Sequence, residues 1–117
     1  MKHSDILKKA KELIADPKHW TKGVLCRDEN FAPASVSDGV CFCTLGAVER
    51  ALYDLGYKDY SDRLRPFVNV SGHLDKFIDS NIPAWNDNIH RSHGEVLALF
   101  DCAIKDAEKE EAKNEAV

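Results

Sequence analysis

Apolar positions recur with the 3.6-residue period of an amphipathic helix in three stretches of the chain and lose that period between them. Ile6, Leu7, Ala10, Leu13 and Ile14 form the first stripe, with lysines opposite. Ser4 is placed to cap this helix, which is expected to end near Ala15 because the residue before Pro17 is pushed out of the helical region. Val40, Cys43, Ala47, Val48, Ala51, Leu52 and Leu55 form the second stripe, with Ser37 or Asp38 as its cap and Gly56 at its exit. Val96, Leu99, Phe100, Ala103, Ile104 and Ala107 form the third, opened by the capping box Ser92-His93-Gly94-Glu95. Beyond Ala107 the run Glu108-Lys109-Glu110-Glu111 has no apolar face, so the pattern predicts a single domain over 1–107 and a frayed, charged tail over 108–117.

The intervening stretches are read differently. Trp20 to Cys26 suits a short extended segment and Asp28-Glu29-Asn30 a turn, which together allow a small hairpin. After Ser61 a helix of one or two turns is expected, disturbed by Pro66. Ser71 then caps a short helix carrying Leu74, Phe77 and Ile78, which Asn81-Ile82-Pro83 breaks, leaving Trp85-Asn86-Asp87 in a loop. The fold class that follows is mainly α: one compact domain of four to five helices, with an irregular or short β segment after the first helix.

Composition narrows the function classes. The 117 residues are 44% apolar and 31% charged, a globular balance, and no apolar run approaches the roughly 18 residues of a membrane span. A formal charge of −4 without a basic stripe argues against nucleic acid as a partner. The four cysteines, Cys26, Cys41, Cys43 and Cys102, follow no secretory signal, which favours reduced thiols and a cytoplasmic location.

Candidate chemistry collects in three short segments that also hold both tryptophans: Trp20-Thr21-Lys22-Gly23, Phe42 to Ala47, and Trp85-Asn86-Asp87. Cys43 near a helix start, with His73, His90 or His93 and Asn86, supplies the parts of a Cys-His-Asn hydrolase. Its position on an apolar stripe points instead to a buried, inert thiol. Cys41, Cys43, His90 and His93 are a zinc-like set, but residues two apart on a helix face different ways, so no metal and no cofactor is expected. Lys22 and the Gly23 amide can hold an anion, Gly46 can admit a close neighbour, and Trp85, Asn86 and Asp87 can stack on and hydrogen-bond a ligand. For each of these residues the competing reading is structural.

In this order the segments resemble an uncharacterised family of small bacterial and phage proteins. Its members carry a Trp-Thr-x-Gly segment, a Trp-Cys-x-x-Gly-Ala helix start, a Trp-Asn-Asp loop and a terminal Val-Leu-x-x-Leu-type helix. The matching residues are Trp20, Thr21, Gly23, Cys43, Gly46, Ala47, Trp85, Asn86, Asp87, Val96 and Leu97, with Phe42 standing where the family tends to have tryptophan. The resemblance implies the architecture and the candidate residues and brings no activity. The expectation is a non-catalytic binding or interaction module, for an unidentified protein or small-molecule ligand, with its site near the Trp-Asn-Asp loop. The alternative is a small cysteine-dependent hydrolase or transferase built on Cys43, His93 and Asn86.

If the thiols are unpaired and no metal staples the fold, the helical circular dichroism should be unchanged by dithiothreitol and by EDTA. A large loss of signal with either reagent would contradict that reading.

Overall fold

A computed structural model describes residues 2–115 of the chain. Five helices, α1 (His3–Leu13), α2 (Thr44–Asp54), α3 (Tyr60–Asp75), α4 (Ile82–Asp87) and α5 (His93–Glu115), surround one core. A 3-10 turn, Pro17–His19, and two short strands, β1 (Cys26–Arg27) and β2 (Cys41–Phe42), fill the span between α1 and α2. The strands pair antiparallel, with Cys26 opposite Phe42 and Arg27 opposite Cys41.

α1 lies against both α2 and α5, while α3 bridges α2 and α5. The three apolar stripes meet there: Leu7 and Ala10 of α1 with Ile14 at its C-cap, Val48 and Leu52 of α2, and Val96, Phe100 and Ala103 of α5 are fully buried. Each of the valines, leucines, Ile14 and Phe100 contributes roughly 1.5–3 kcal/mol by leaving water, and each alanine methyl about 0.8 kcal/mol, so this seam dominates the stability of the bundle.

Several boundaries differ from those the pattern predicts, each for a physical reason. α2 begins at Thr44, because Val40 to Phe42 are drawn into β2 and its flank, and Cys43 rather than Ser37 or Asp38 is the N-cap. Ser4 does not cap α1; its hydroxyl and amide bond the Glu111 carboxylate at 2.6 and 3.1 Å. α3 runs unbroken through Pro66 and past Ser71, since Val70 and Leu74 are buried on its inner face and packing outweighs the missing amide. α5 continues to Glu115 instead of fraying after Ala107, because its carboxylates find partners on other helices: Glu108 bonds Lys8, Glu111 bonds Ser4, and Asp106 and Glu110 bond Lys76. Trp85-Asn86-Asp87 is helical, on α4, with Asn81 as N-cap and Pro83 in the first turn.

The capping box of α5 forms as expected. The Glu95 amide donates to Ser92 Oγ at 3.2 Å and the Ser92 amide to Glu95 Oε1 at 2.9 Å. The hydrogen bond from the Ser92 amide holds the Glu95 carboxyl below its ordinary value.

Gly46 explains how the strand layer seats on the bundle. The Leu25 carbonyl accepts the Cys43 amide at 3.0 Å and lies directly on the Gly46 backbone, where an added Cβ would overlap its oxygen and sit 2.8 Å from its carbon. Gly72, in the middle of α3, has open space at the same position. Gly46→Ala should therefore destabilise by about 3 kcal/mol or more in a urea melt, because a backbone carbonyl must move. Gly72→Ala should stabilise by about 0.5–1 kcal/mol. Equal effects would contradict the close approach at Gly46.

Candidate functional site

The three motif segments converge on one side chain. Asn86 is fully buried, and its Oδ1 accepts from Trp20 Nε1 at 2.9 Å, from the Thr44 amide at 3.0 Å and from Thr44 Oγ1 at 2.7 Å. Its Nδ2 donates to the Thr21 carbonyl at 3.1 Å and to Asp87 Oδ1 at 2.9 Å. An indole N–H and a backbone amide can only donate, so they fix which end of the Asn86 amide is oxygen. Asp87 Oδ1 also accepts the Gly23 amide at 2.9 Å, and Lys22 Nζ donates to the Asn88 carbonyl at 2.7 Å.

α4 presents this amide for a local reason. Asn81 Oδ1 accepts the Ala84 amide at 2.8 Å, Pro83 sets the first turn, and Ile82 plugs the core, which turns Asn86 inward and leaves Asp87 exposed. Trp85 is half-buried and lies under the Arg91 guanidinium, whose carbon is 3.9 Å from the ring centroid. Arg91 Nε also donates to the Trp85 carbonyl at 2.9 Å.

Much of what the sequence offers as site chemistry is thus used by the fold. Every polar atom of the Asn86 side chain is engaged within the protein, which leaves none for the ligand contact expected of it. Lys22 Nζ uses one of its three donors on the Asn88 carbonyl at the α4 exit, and the space over Gly46 is filled by Leu25. The Trp20 indole is fastened at its nitrogen and packs on His93, with ring centroids 5.9 Å apart.

The thiol-histidine chemistry does not assemble. Cys43 is 5% exposed, and its sulfur accepts the Gly46 amide at 3.3 Å as the cap of α2. Burial raises its pKa, outweighing the Gly46 and Leu45 amides that favour the thiolate. Among the described residues no imidazole is hydrogen-bonded to it. His93 Nε2 instead donates to the Ile14 carbonyl at 2.6 Å, closing the end of α1, and His73 bonds His3 and Asp106. Burial pushes the Cys26 thiol up to about 12. Cys41 donates to the Lys18 carbonyl at 3.2 Å and His90 is exposed, so Cys41, Cys43, His90 and His93 do not gather as metal ligands. Among the described residues the one cluster with ligand spacing is His73, Asp106 and Glu110, which no window along the sequence shows because His73 lies on α3, 33 residues from Asp106, while Asp106 and Glu110 lie on α5.

What remains open beside the polar node is a pair of shallow hollows. One, of about 230 Å³, is lined by Gly23, Val24, Leu25, Cys43, Pro83 and Asp87. The other, of about 260 Å³, lies between α3 and α4 and is lined by Leu45, Phe67, Val68, Ser71, Ile82 and Pro83 among others. Pro83 belongs to both, and Leu25 in the first and Val68 in the second stand exposed at 45% and 59%. Ser71 Oγ, buried at the second, has no hydrogen-bond partner among the described residues. A larger hollow of about 650 Å³ opens elsewhere, along α5, between Phe77, Cys102 and the long charged side chains of Lys105, Glu108 and Lys109.

These features define a small helical domain whose loop segments are stapled to the bundle by a buried polar node, with an apolar surface beside it. The chain belongs to a family of unknown function, DUF6197, whose model matches residues 1–106. No curated protein and no solved structure matches it. Among the described residues no helix is long and apolar enough to cross a membrane.

Asn86→Asp tests the node with almost no change in shape. The carboxylate keeps the three incoming hydrogen bonds but turns an acceptor toward the Thr21 carbonyl and the Asp87 carboxylate, where Nδ2 now donates. The substitution should cost about 2–4 kcal/mol at neutral pH, as expected when buried polar groups lose their partners. A loss under about 0.5 kcal/mol, the range of surface changes, would show that the node does not hold the fold.

Proposed function

We propose that this protein is a non-catalytic binding module that docks a polypeptide segment through the surface around Pro83, beside the Trp-Asn-Asp turn of α4. The observation that carries this reading is the junction of the two apolar hollows at Pro83, lined by exposed Leu25 and Val68. Large apolar residues left out in water at adjoining places on one surface mark interaction sites on soluble proteins.

Size favours a polypeptide over a small molecule. Small-molecule sites generally enclose about 300–1,000 Å³, whereas these hollows measure about 230 and 260 Å³ and are open. Each suits one apolar side chain, and two side chains anchored on either side of Pro83 fit a peptide better than a compact ligand. The unpartnered Ser71 hydroxyl at the second hollow offers a polar handle, and Asp87 at the first favours a basic or amide group beside the apolar anchor. The thiol chemistry gives no comparable support, since Cys43 is buried and acts as a helix cap.

The test is selection of a displayed peptide library on the immobilised chain. Peptides with two apolar anchors should emerge, and Val68→Glu should weaken their binding at least tenfold while changing stability by less than about 0.5 kcal/mol, as for an exposed residue. Selection of no peptide above background, or of peptides indifferent to Val68→Glu, would contradict the reading.

A further inference from the structure

α5 passes both the start of α1 and the end of α3, and two imidazoles meet in the angle between them. Asp106 Oδ2 lies 2.7 Å from His73 Nδ1. The ionised carboxylate only accepts, so Nδ1 carries the proton and Nε2 of a neutral His73 keeps its lone pair. That lone pair faces His3 Nδ1 at 3.0 Å, and Glu110 Oε2 stands 3.9 Å from the same nitrogen. His73 is 4% exposed and rigidly held, whereas His3 is half-buried and Glu110 exposed. A hollow of about 200 Å³ lined by His3, His73, Ala107 and Glu110 among others gives solvent access to the group.

We propose that His73 Nε2, His3 Nδ1 and Glu110 Oε2 form a binding site for a divalent transition-metal ion of the zinc type, joining α1, α3 and α5. Ligand atoms held tetrahedrally about 2.0–2.1 Å from zinc lie about 3.3–3.4 Å apart. His73 Nε2 lies 3.0 Å from His3 Nδ1 and 3.9 Å from Glu110 Oε2, either side of that value, and His3 stands outside the group whose ligand atoms already lie within 4.8 Å of one another, so the His3 and Glu110 side chains must rotate toward each other about a fixed His73 for the site to close. Asp106 plays the part that carboxylates take behind metal-bound histidines: it fixes the tautomer and aims the ring. Lys76 bonds Asp106 Oδ2 at 2.8 Å and Glu110 Oε1 at 3.1 Å, which steadies both carboxylates and leaves Glu110 Oε2 for the ion. Two imidazoles and one carboxylate select zinc, cobalt(II) or nickel over magnesium and calcium, and three protein ligands leave one position for water. Before the ion binds, His3 Nδ1–H donates to His73 Nε2, so the network is satisfied and the fold does not require metal.

Calorimetric titration with Zn²⁺ and absorption titration with Co²⁺ on the full chain carrying Cys102→Ser, which removes the exposed thiol as a competing ligand, test the proposal. One ion per chain should bind. His3→Ala and Glu110→Gln should each weaken binding at least tenfold with helical circular dichroism unchanged. Asp106→Asn should weaken it by about 10–100-fold, the usual effect of removing such a supporting carboxylate. The absence of saturable Zn²⁺ uptake would overturn the site, as would unchanged affinity in either His3→Ala or Glu110→Gln.

Discussion

One buried amide organises the part of this protein that its helical periodicity leaves undetermined. Asn86 joins the segment after α1, the first residue of α2 and the last turn of α4 through five hydrogen bonds, with no contact to water. A side chain with both an acceptor and two donors is required, because Trp20 and Thr44 deliver donors from one side while Thr21 and Asp87 offer acceptors on the other. Leaving any of these groups unpaired in the interior costs about 1–3 kcal/mol, so the segments hold their places together or not at all. The Leu25 carbonyl against Gly46 adds a second constraint of the same kind, backbone on backbone.

This arrangement explains why short motifs were more informative than their chemistry suggested. Trp20, Gly46, Asn86 and Asp87 stand out in the sequence because few residue types meet such demands, and those demands are conformational and polar before they are functional. Cys43 is the clearest case. It looks like a nucleophile at a helix start, but its sulfur caps α2 and lies buried beneath Leu25 and Gly46. The binding role proposed above falls to the apolar surface next to the node.

The helical class, the seam of Leu7, Leu52 and Phe100, and the Ser92-Glu95 capping box were legible from periodicity and local chemistry. The start of α2 was not, because Val40 and Cys43 lie in register with the apolar stripe and only the pairing of Cys41 and Phe42 with Arg27 and Cys26 makes a strand there. Pro66 and Ser71 suggest two short helices where α3 is one, because its continuity depends on packing of Val70 and Leu74 that no local signal carries. The end of α5 is hidden likewise: Glu108, Glu110 and Glu111 look like a solvated run until Lys8, Lys76 and Ser4 are placed opposite them. The apolar surface around Pro83 and the His3–His73 pair are tertiary coincidences of distant residues, invisible to any window along the chain.

Held by groups that cannot be left unpaired, the Asn86 node opens only when the whole domain does. Native-state hydrogen exchange at the Thr44 amide measures this directly, since that amide donates to Asn86 Oδ1 in a fully buried setting. Its opening free energy should equal that of global unfolding and fall with denaturant along the same slope, as for the most protected core amides. An opening free energy well below the global value, with little denaturant dependence, would show that the loop segments lift off the bundle on their own and that the node is not what holds them.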